Sequence, residues 1–417
     1  MTGLALLIVS GAVVAIVAAA VVVSFSRPVQ KIDAMVGEAL APPPVPRGVK
    51  DSEIVLGMAS VFSGANRELG RAMKAGVEAA FEDVNAGGGV HGRTLRLVAV
   101  DDGYEPTRTL AAMKQLVERD AVFAIVGNVG TPTAAVSVPY CMERKVLFFG
   151  ALSGGDLLRK QPPDRYVFNV RPSYAEETAA AVRWLVGVRK IAPSRIALFA
   201  QDDQFGASGV RGAAEELRAR GVDTSRVIRV GYRRNTDDVT AAVETLRQRA
   251  REVDAVVMVA TYLPAATFVR KLRDAGLRQV VTDVSAVDSN ALAEELSAAG
   301  RRYTENVLVT QIVPLPSGHM PGTVRFREAM ARRGTGEQPG FLALEGWVVG
   351  KVLAEAIRRA GRDLDTEHLV DTLEHVRDLD IGIGTRISFD RGDHEGSRQV
   401  WGTVLQPDGS WKQVVLE

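Results

Sequence analysis

The sequence predicts an α/β protein built as two similar halves, each on a doubly wound parallel sheet, and three observations predict it. Short apolar runs alternate with helix-patterned stretches from Glu53 to Ala299. The alternation breaks once, around Tyr166–Arg171, and then resumes on a second set of about the same size. Glycine and hydroxyl residues recur where an apolar run gives way to a helix pattern, which in a parallel sheet is the edge where ligands bind.

Glu53–Ser60 (EIVLGMAS) reads as a buried strand. VFSGANRELG (61–70) turns into a helix running to about Asn85. Gly87–Gly89 stop that helix, because glycine accepts a positive φ at little cost. Thr94–Val100 is the second strand and ends at Asp101-Asp102-Gly103. Pro106 can open the next helix, which reaches Glu118, since its missing N–H is not needed in a first turn. Val122–Val126 is the third strand.

The stretch Ala121–Gly155 organises the chain: strand, glycine turn, helix, strand, glycine turn. The first turn carries Gly130, Thr131 and Thr133, the second Ser153 and Gly154. A parallel sheet sets both turns on one edge. A helix N-terminus there offers free N–H groups and a partial positive charge to an anion. A small-molecule carboxylate site is the expectation; helix capping by the threonines and a plain turn at Ser153 are the alternatives.

The second half reads as a helix from Tyr174 to Lys190, strand Arg195–Ala200, turn QDDQFG (201–206) and a helix ending at Gly221. Strand Arg226–Gly231, a helix from Thr236, strand Ala255–Val259, turn ATYLP (260–264) and a helix to Gly276 follow. Strand Gln279–Val284 and helix Asn290–Ala299 complete it. Glycine-free crossings between the halves are expected at Tyr166–Arg171 and Glu305–Ile312. Helices near Val324–Arg333, Phe341–Ala360 and Thr366–Val376 come next, then strands Arg386–Phe389, Arg398–Leu405 and Lys412–Leu416. Two halves joined by more than one crossing imply a cleft between them.

Composition narrows the function. The 417 residues carry 51 basic and 50 acidic side chains, so nothing favours a nucleic-acid partner. The one cysteine, Cys141, lies in an apolar helix pattern and reads as a packed thiol. The five histidines are scattered, and His368 and His375 sit on a charged helix, so no metal site or cofactor is expected. The acid pairs Asp101-Asp102 and Asp202-Asp203 have no base or nucleophile beside them and read as caps. Gly87–Gly89 end a helix, whereas a dinucleotide fingerprint opens one.

Residues 1–26 read as a transmembrane anchor or signal sequence. Leu4–Phe25 is uncharged, and its 22 residues would span about 33 Å as a helix, enough for a bilayer core. No basic residue precedes the run, which favours an uncleaved anchor over a cleaved signal. Residues 27–52, with APPPVPRG at 41–48, read as a proline-rich tether.

Several segments together resemble one family: VNAGGGVHGRTLRLVAVDDGYEP (84–106), GTPT with the following LSGG turn, RYVFNVRPSY (165–174), RIALFAQDDQFG (195–206) and ISFDRGDHEG (387–396). It is the type I periplasmic solute-binding proteins of the leucine/isoleucine/valine-binding group, receptors of ABC importers. The resemblance covers Glu53 to Glu417 and rests on the ordered set rather than on any one motif. It implies two Rossmann-like lobes, 53–170 with 311–385 and 171–310 with 386–417, joined by a three-segment hinge. It implies that Thr131 and backbone N–H groups hold a ligand carboxylate, with the second-loop hydroxyl near Ser153 and Gly154. Phe205 and Tyr262 would be walls. The family's ammonium-binding acid falls at Ser285, which cannot neutralise an ammonium; Asp283 is the nearby substitute, or the ligand lacks an ammonium group. Tyr104 and Gly130 stand where some members have a disulfide.

The expected function is extracytoplasmic capture of a small carboxylate-bearing ligand for an ABC permease, with the chain attached to the inner membrane through its N-terminal helix. A membrane-tethered sensory receptor of the same fold, with a sensor partner, is the alternative. An α/β enzyme is the third reading, against which the missing catalytic constellation argues.

Overall fold

A computed structural model of the chain describes residues 46–417. The expected anchor, and the tether up to residue 45, lie outside the described residues. Among the described residues no helix is long and apolar enough to cross a membrane. The last part of the expected tether is not a free spacer. Val55 N donates to Gly48 O (2.8 Å), Arg47 Nε donates to Val122 O (2.9 Å) and Val49 is buried.

The chain runs β1 (Glu53–Ser60), α1 (Arg67–Ala86), β2 (Thr94–Asp101), α2 (Pro106–Lys114), β3 (Ala124–Val126), α3 (Thr131–Arg144), β4 (Leu147–Phe149) and β5 (Val167–Phe168). It continues through α4 (Tyr174–Gly187), β6 (Ile196–Gln201), α5 (Gln204–Ala219), β7 (Arg229–Tyr232), α6 (Thr240–Gln248) and β8 (Ala255–Val259). Then come α7 (Tyr262–Asp274), β9 (Val280–Asp283), α8 (Ser289–Ala299) and β10 (Val307–Gln311). It ends with α9 (Pro321–Arg333), α10 (Phe341–Ala360), α11 (Thr366–Leu373), β11 (Leu379–Asp380), β12 (Arg386–Ile387), β13 (Trp401–Leu405) and β14 (Trp411–Val414).

Two large sheets organise these elements, and β11 and β12 pair antiparallel in a small third one. The first, in the order β2-β1-β3-β4-β5, is wholly parallel. The second, in the order β14-β13-β10-β9-β8-β6-β7, is parallel from β10 to β7 and antiparallel at β13 and β14. Strands β1, β3, β4 and β8 are buried almost throughout, as a parallel sheet covered by helices on both faces requires.

The crossings differ from expectation in detail. Val167–Phe168 and Val307–Gln311 are strands, so the chain leaves the first sheet only after Phe168 and the second only after Gln311. The third passage comes later than residue 386. Phe389 stands edge-on to Phe168 and Phe149, with centroids 5.4 and 6.3 Å away, and His394 stacks on Phe168 at 3.7 Å. Asn169 pairs with the backbone at 394–396. Apolar burial of the phenylalanines thus holds 386–396 with the first sheet. The helix expected from Thr236 starts at Thr240, because Asn235 adopts φ 59° and closes a turn. The helix from Pro106 ends in a π turn, Gln115–Arg119, in which Asp120 N reaches back to Gln115 O (2.9 Å).

The tightest helix contact is α1 on α10, which returns the late part of the chain to the first sheet. Two glycines make it. A Cβ on Gly76 would lie 1.9 Å from Ala343 O, and one on Gly346 would lie 2.3 Å from Met73 O. Each helix therefore presents bare backbone to the other. Gly76→Ala gains about 1 kcal/mol of helix propensity but must push the two backbones apart. Overpacking costs about 1–3 kcal/mol, and here backbone rather than a flexible side chain must give. Because backbone must give, the cost lies in the upper part of that range, and the expected net loss in denaturant unfolding is about 1–2 kcal/mol; an unchanged midpoint would contradict this packing.

Candidate functional site

The C-terminal ends of β3 and β4 carry the two turns, and the fold brings their hydroxyls together. Thr131 Oγ1 and Ser153 Oγ share a hydrogen bond of 2.8 Å, and Gly155 N donates to Ser153 Oγ (3.2 Å). Both residues are fully buried. Thr131 is the first residue of α3, with Pro132 behind it, so the pair sits at a helix N-terminus.

Glycines let the walls close on this pair. Gly130 has φ 104°, and a Cβ there would lie 2.2 Å from Cε2 of Tyr104. A Cβ on Gly154 would lie 2.5 Å from Tyr174 N, whose N–H donates to Gly154 O (2.9 Å). The Tyr174 ring meets Phe205 with centroids 4.9 Å apart. Thr133 differs from Thr131: its hydroxyl donates to Val129 O and to Gly130 O (2.8 Å), so it is spent inside the first turn of α3.

The second sheet faces these turns with the ends of β6, β8 and β9. Gln201 Nε2 donates to Tyr104 Oη (3.3 Å) and to Asp203 Oδ2 (2.7 Å). Tyr232 Oη donates to Gln201 Oε1 (3.1 Å) and accepts from Thr261 N (3.0 Å). A polar chain thus passes from one half to the other. Near it Glu105 accepts from Asn235 Nδ2 (2.6 Å) and Arg234 Nη2 (3.1 Å), and Asn66 Nδ2 donates to Asn235 Oδ1 (2.8 Å). Tyr262, at the start of α7, lines a groove of about 500 Å³ with Arg67, Glu68, Leu263 and Arg270.

Asp283 ends β9 and Ser285 lies just beyond it; Ser285 is fully engaged, whereas Asp283 keeps its buried Oδ2 without a partner. Asp283 Oδ1 accepts from Ala260 N (3.1 Å) and Val284 N (2.9 Å), stitching the ends of β8 and β9. Burial pushes its pKa well above the usual carboxylate range. Ser285 donates through N and Oγ to Glu177 (2.8 and 3.0 Å) and accepts from Arg171 Nη2.

Arg171, Glu177 and Glu345 form a buried charge cluster that reading the sequence missed; they are 1 %, 0 % and 2 % exposed, where an unpaired charge is costly. Arg171 Nη2 donates to Glu177 Oε1 (3.2 Å), and Tyr174 covers the guanidinium at 5.3 Å. Thr310 Oγ1 donates to Glu177 Oε2 (2.7 Å). Burial works against the Arg171 charge, and Glu345, Tyr174 and Glu177 more than offset it. Glu345 lies 3.6 Å from Arg171 Nη1, too far for a hydrogen bond, and burial pushes it up to about 7 while Arg171 holds it back. The signal available in sequence was RPSYAEE (171–177), in which Ser173 and Glu176 form a capping box and Glu177 turns inward.

Among the described residues no group of three or more His, Cys, Asp or Glu side chains could hold a metal ion. Cys141 is buried in an apolar cluster, and burial raises its thiol pKa beyond the reach of nucleophilic use.

Asp102 lies beside the site under Tyr104. Burial pushes it up to about 6, against the hydrogen bonds it accepts from Tyr104 N and Thr109 Oγ1. Asp288, the N-cap of α8, is likewise pushed up to about 6 by burial. With Glu345 these acids bind protons more tightly folded than unfolded. The stability they lend is complete below about pH 4 and is lost as pH rises through 6 to 7. Asp102→Asn removes one such loss. Relative to the parent, its unfolding free energy should rise by up to about 3 kcal/mol from pH 4 to pH 7, as urea titrations at each pH would measure. A constant difference would rule out the protonated Asp102.

Comparison with known proteins gives the family. A family model described as periplasmic binding protein matches residues 53–410. An amino acid binding protein of Pseudomonas aeruginosa is 27 % identical over 262 residues, 62 % of this chain and 67 % of that protein. A Leu/Ile/Val-binding protein homolog 7 of Brucella abortus is 24 % identical over 371 residues, 85 % and 90 % of the two chains. The crystal structure of a possible leucine/isoleucine/valine-binding protein from Rhodopirellula baltica superposes with a TM-score of 0.83 at 34 % identity, covering 90 % of this chain and 98 % of that one. The chain therefore belongs to the periplasmic binding proteins, a family of ligand receptors rather than enzymes.

Proposed function

We propose that this chain is an extracytoplasmic solute receptor of an ABC importer. It holds a small carboxylate-bearing ligand between its two sheet units. The observation that carries the reading is the buried Thr131–Ser153 hydroxyl pair, which joins the two turns at the start of α3. Hydroxyls and free N–H groups at a helix start suit a carboxylate better than any neutral group. The pair satisfies itself when alone, and each hydroxyl can turn its proton to an incoming anion.

The rest of the assignment follows from position. Gly130 and Gly154 let Tyr104 and Tyr174 close on the turns, and Phe205 supports Tyr174. Tyr262 is the outer wall. Thr133 shapes the turn, while Asp283 and Ser285 hold the ends of the second sheet. The two sheet units act as lobes, and the three passages between them act as the hinge. The contacts of Glu105 and Asn66 with Asn235, and of Tyr104 with Gln201, belong to the closed state. The names of the relatives favour amino acids, branched-chain ones among them, as the ligand class. Attachment through the apolar stretch 4–25 is part of the same proposal.

Calorimetric titration with amino acids and with aliphatic and aromatic acids tests it. Thr131→Val keeps the volume and removes one hydroxyl. A hydrogen bond to a charged group is worth about 1.5–3 kcal/mol, so the expected loss is about 10- to 100-fold for carboxylates. The corresponding primary amides should lose less. Unchanged affinity for every carboxylate that binds would refute the assignment of Thr131.

A further inference from the structure

Four residues outside the two glycine turns bridge the halves at one point. Asn66 and Glu105 come from the first half, Arg234 and Asn235 from the turn after β7 in the second. Asn235 Nδ2 donates to Glu105 Oε1 (2.6 Å) and Gly103 O (3.3 Å), and its Oδ1 accepts from Asn66 Nδ2 (2.8 Å). Arg234 Nη2 donates to Glu105 Oε2 (3.1 Å). Among the described residues, every hydrogen bond of the Asn235 side chain thus crosses to the other half.

Each of the four gives up something local for this contact. Asn66 immediately precedes α1 and Glu105 immediately precedes α2, where a side chain ordinarily satisfies the free N–H groups of a helix start. Asparagine is among the best residues for that task, yet neither side chain caps its own helix. Asn66 is buried, and its Oδ1 has no donor among the described residues. Asn235 is held at φ 59°, in the left-handed region that costs energy for any residue but glycine. Arg234 buries its Nε without an acceptor among them. Local rules broken together, with one shared gain, mark a functional contact rather than an accident of packing. The gain here is the bond between the halves.

We propose that Asn66, Glu105, Arg234 and Asn235 form a clasp that holds the halves together independently of the ligand. The clasp sets the balance between open and closed forms on which any ligand then acts, so retention of the ligand depends on residues that it never meets. Among the described residues none of the four hydrogen-bonds to Thr131 or Ser153, so Arg234 and Asn235 are positioning residues. The inference rests on the proposed movement of the two sheet units and adds what governs it.

The test reads the distance between the halves before any ligand is added. Glu143→Cys and Arg226→Cys place one spin label on an exposed position of each half, while Cys141 is buried and stays unlabelled. Double electron–electron resonance on the full chain gives the distribution of distances. Asn235→Gly accepts the positive φ and removes the clasp from the second half. Glu105→Ala removes it from the first. Asn306→Gly, the same exchange at φ 57° away from the contact, is the control. The parent and the control should show one main distance. Each clasp variant should raise the ratio of a second, open population to the first at least about 10-fold, as the loss of hydrogen bonds to a charged group implies. A parent that is already open, or clasp variants with the parent's distribution, would overturn the clasp. Adding L-leucine, 3-phenylpropanoate or glutarate separates that result from failure of the underlying reading. If one of these probes moves the distance while the clasp variants do not, the mobile lobes stand and the clasp alone falls. If neither probes nor variants move it, the lobe movement falls with the clasp.

Discussion

The side chain of Arg159 fixes the relation between the second turn and the places where the chain passes between its sheets. Its planar fork serves carbonyls of the second turn, Ser153 and Gly155, and carbonyls of the first passage, Arg171 and Pro172. Its Nε takes Glu395, which belongs to the third passage. Only arginine has enough donors, in a rigid enough plane, to serve five acceptors of fixed direction. The second turn therefore cannot shift without pulling on two of the connections that would bend in any opening of the cleft.

The same economy of placement recurs at the close approaches. Gly130, Gly154 and Gly155 are bare because Tyr104, Tyr174 and Thr131 lie where their side chains would be. Each buries an aromatic or hydroxyl group against backbone, which leaves the turn N–H groups and hydroxyls inside a space of low polarity. In such surroundings a few well-aimed donors count for far more than they would in water. A receptor needs little else to hold a small anion.

Most of the fold was legible in the sequence because parallel strands buried on both faces write themselves as unbroken apolar runs. Glu53–Ser60 and Ala255–Val259 match their strands residue for residue. The meeting of the two turns was legible for a similar reason: Thr131 and Ser153 sit at turns marked by glycine. What could not be read was contact between distant segments. Nothing in RPSYAEE or FLALEGW says that Arg171 and Glu345 meet, since they are brought together only by the return of α10 onto α1 through Gly76 and Gly346. The third passage was placed too early because strand-like residues at 386–389 carry no mark of what they pack against, and 386–387 pair only with β11. The aromatic partners of Phe389, Phe149 and Phe168, set which half it packs on.

The serine at 285, an oddity against the family pattern, has a physical explanation in Glu177. Ser285 Oγ lies 3.0 Å from one Glu177 oxygen and also accepts from Arg171. An aspartate or glutamate there would set a second carboxylate at hydrogen-bonding distance from the first, in a buried site where one guanidinium already has Glu345 on its other side. Two like charges so close cannot both ionise, and one would have to take up a proton and lose its use as a counter-charge. Serine avoids this, since its hydroxyl can donate to Glu177 and accept from Arg171 at once. The choice of residue just after β9 is thus dictated from α4, by an inward-facing glutamate one position past the capping-box Glu176.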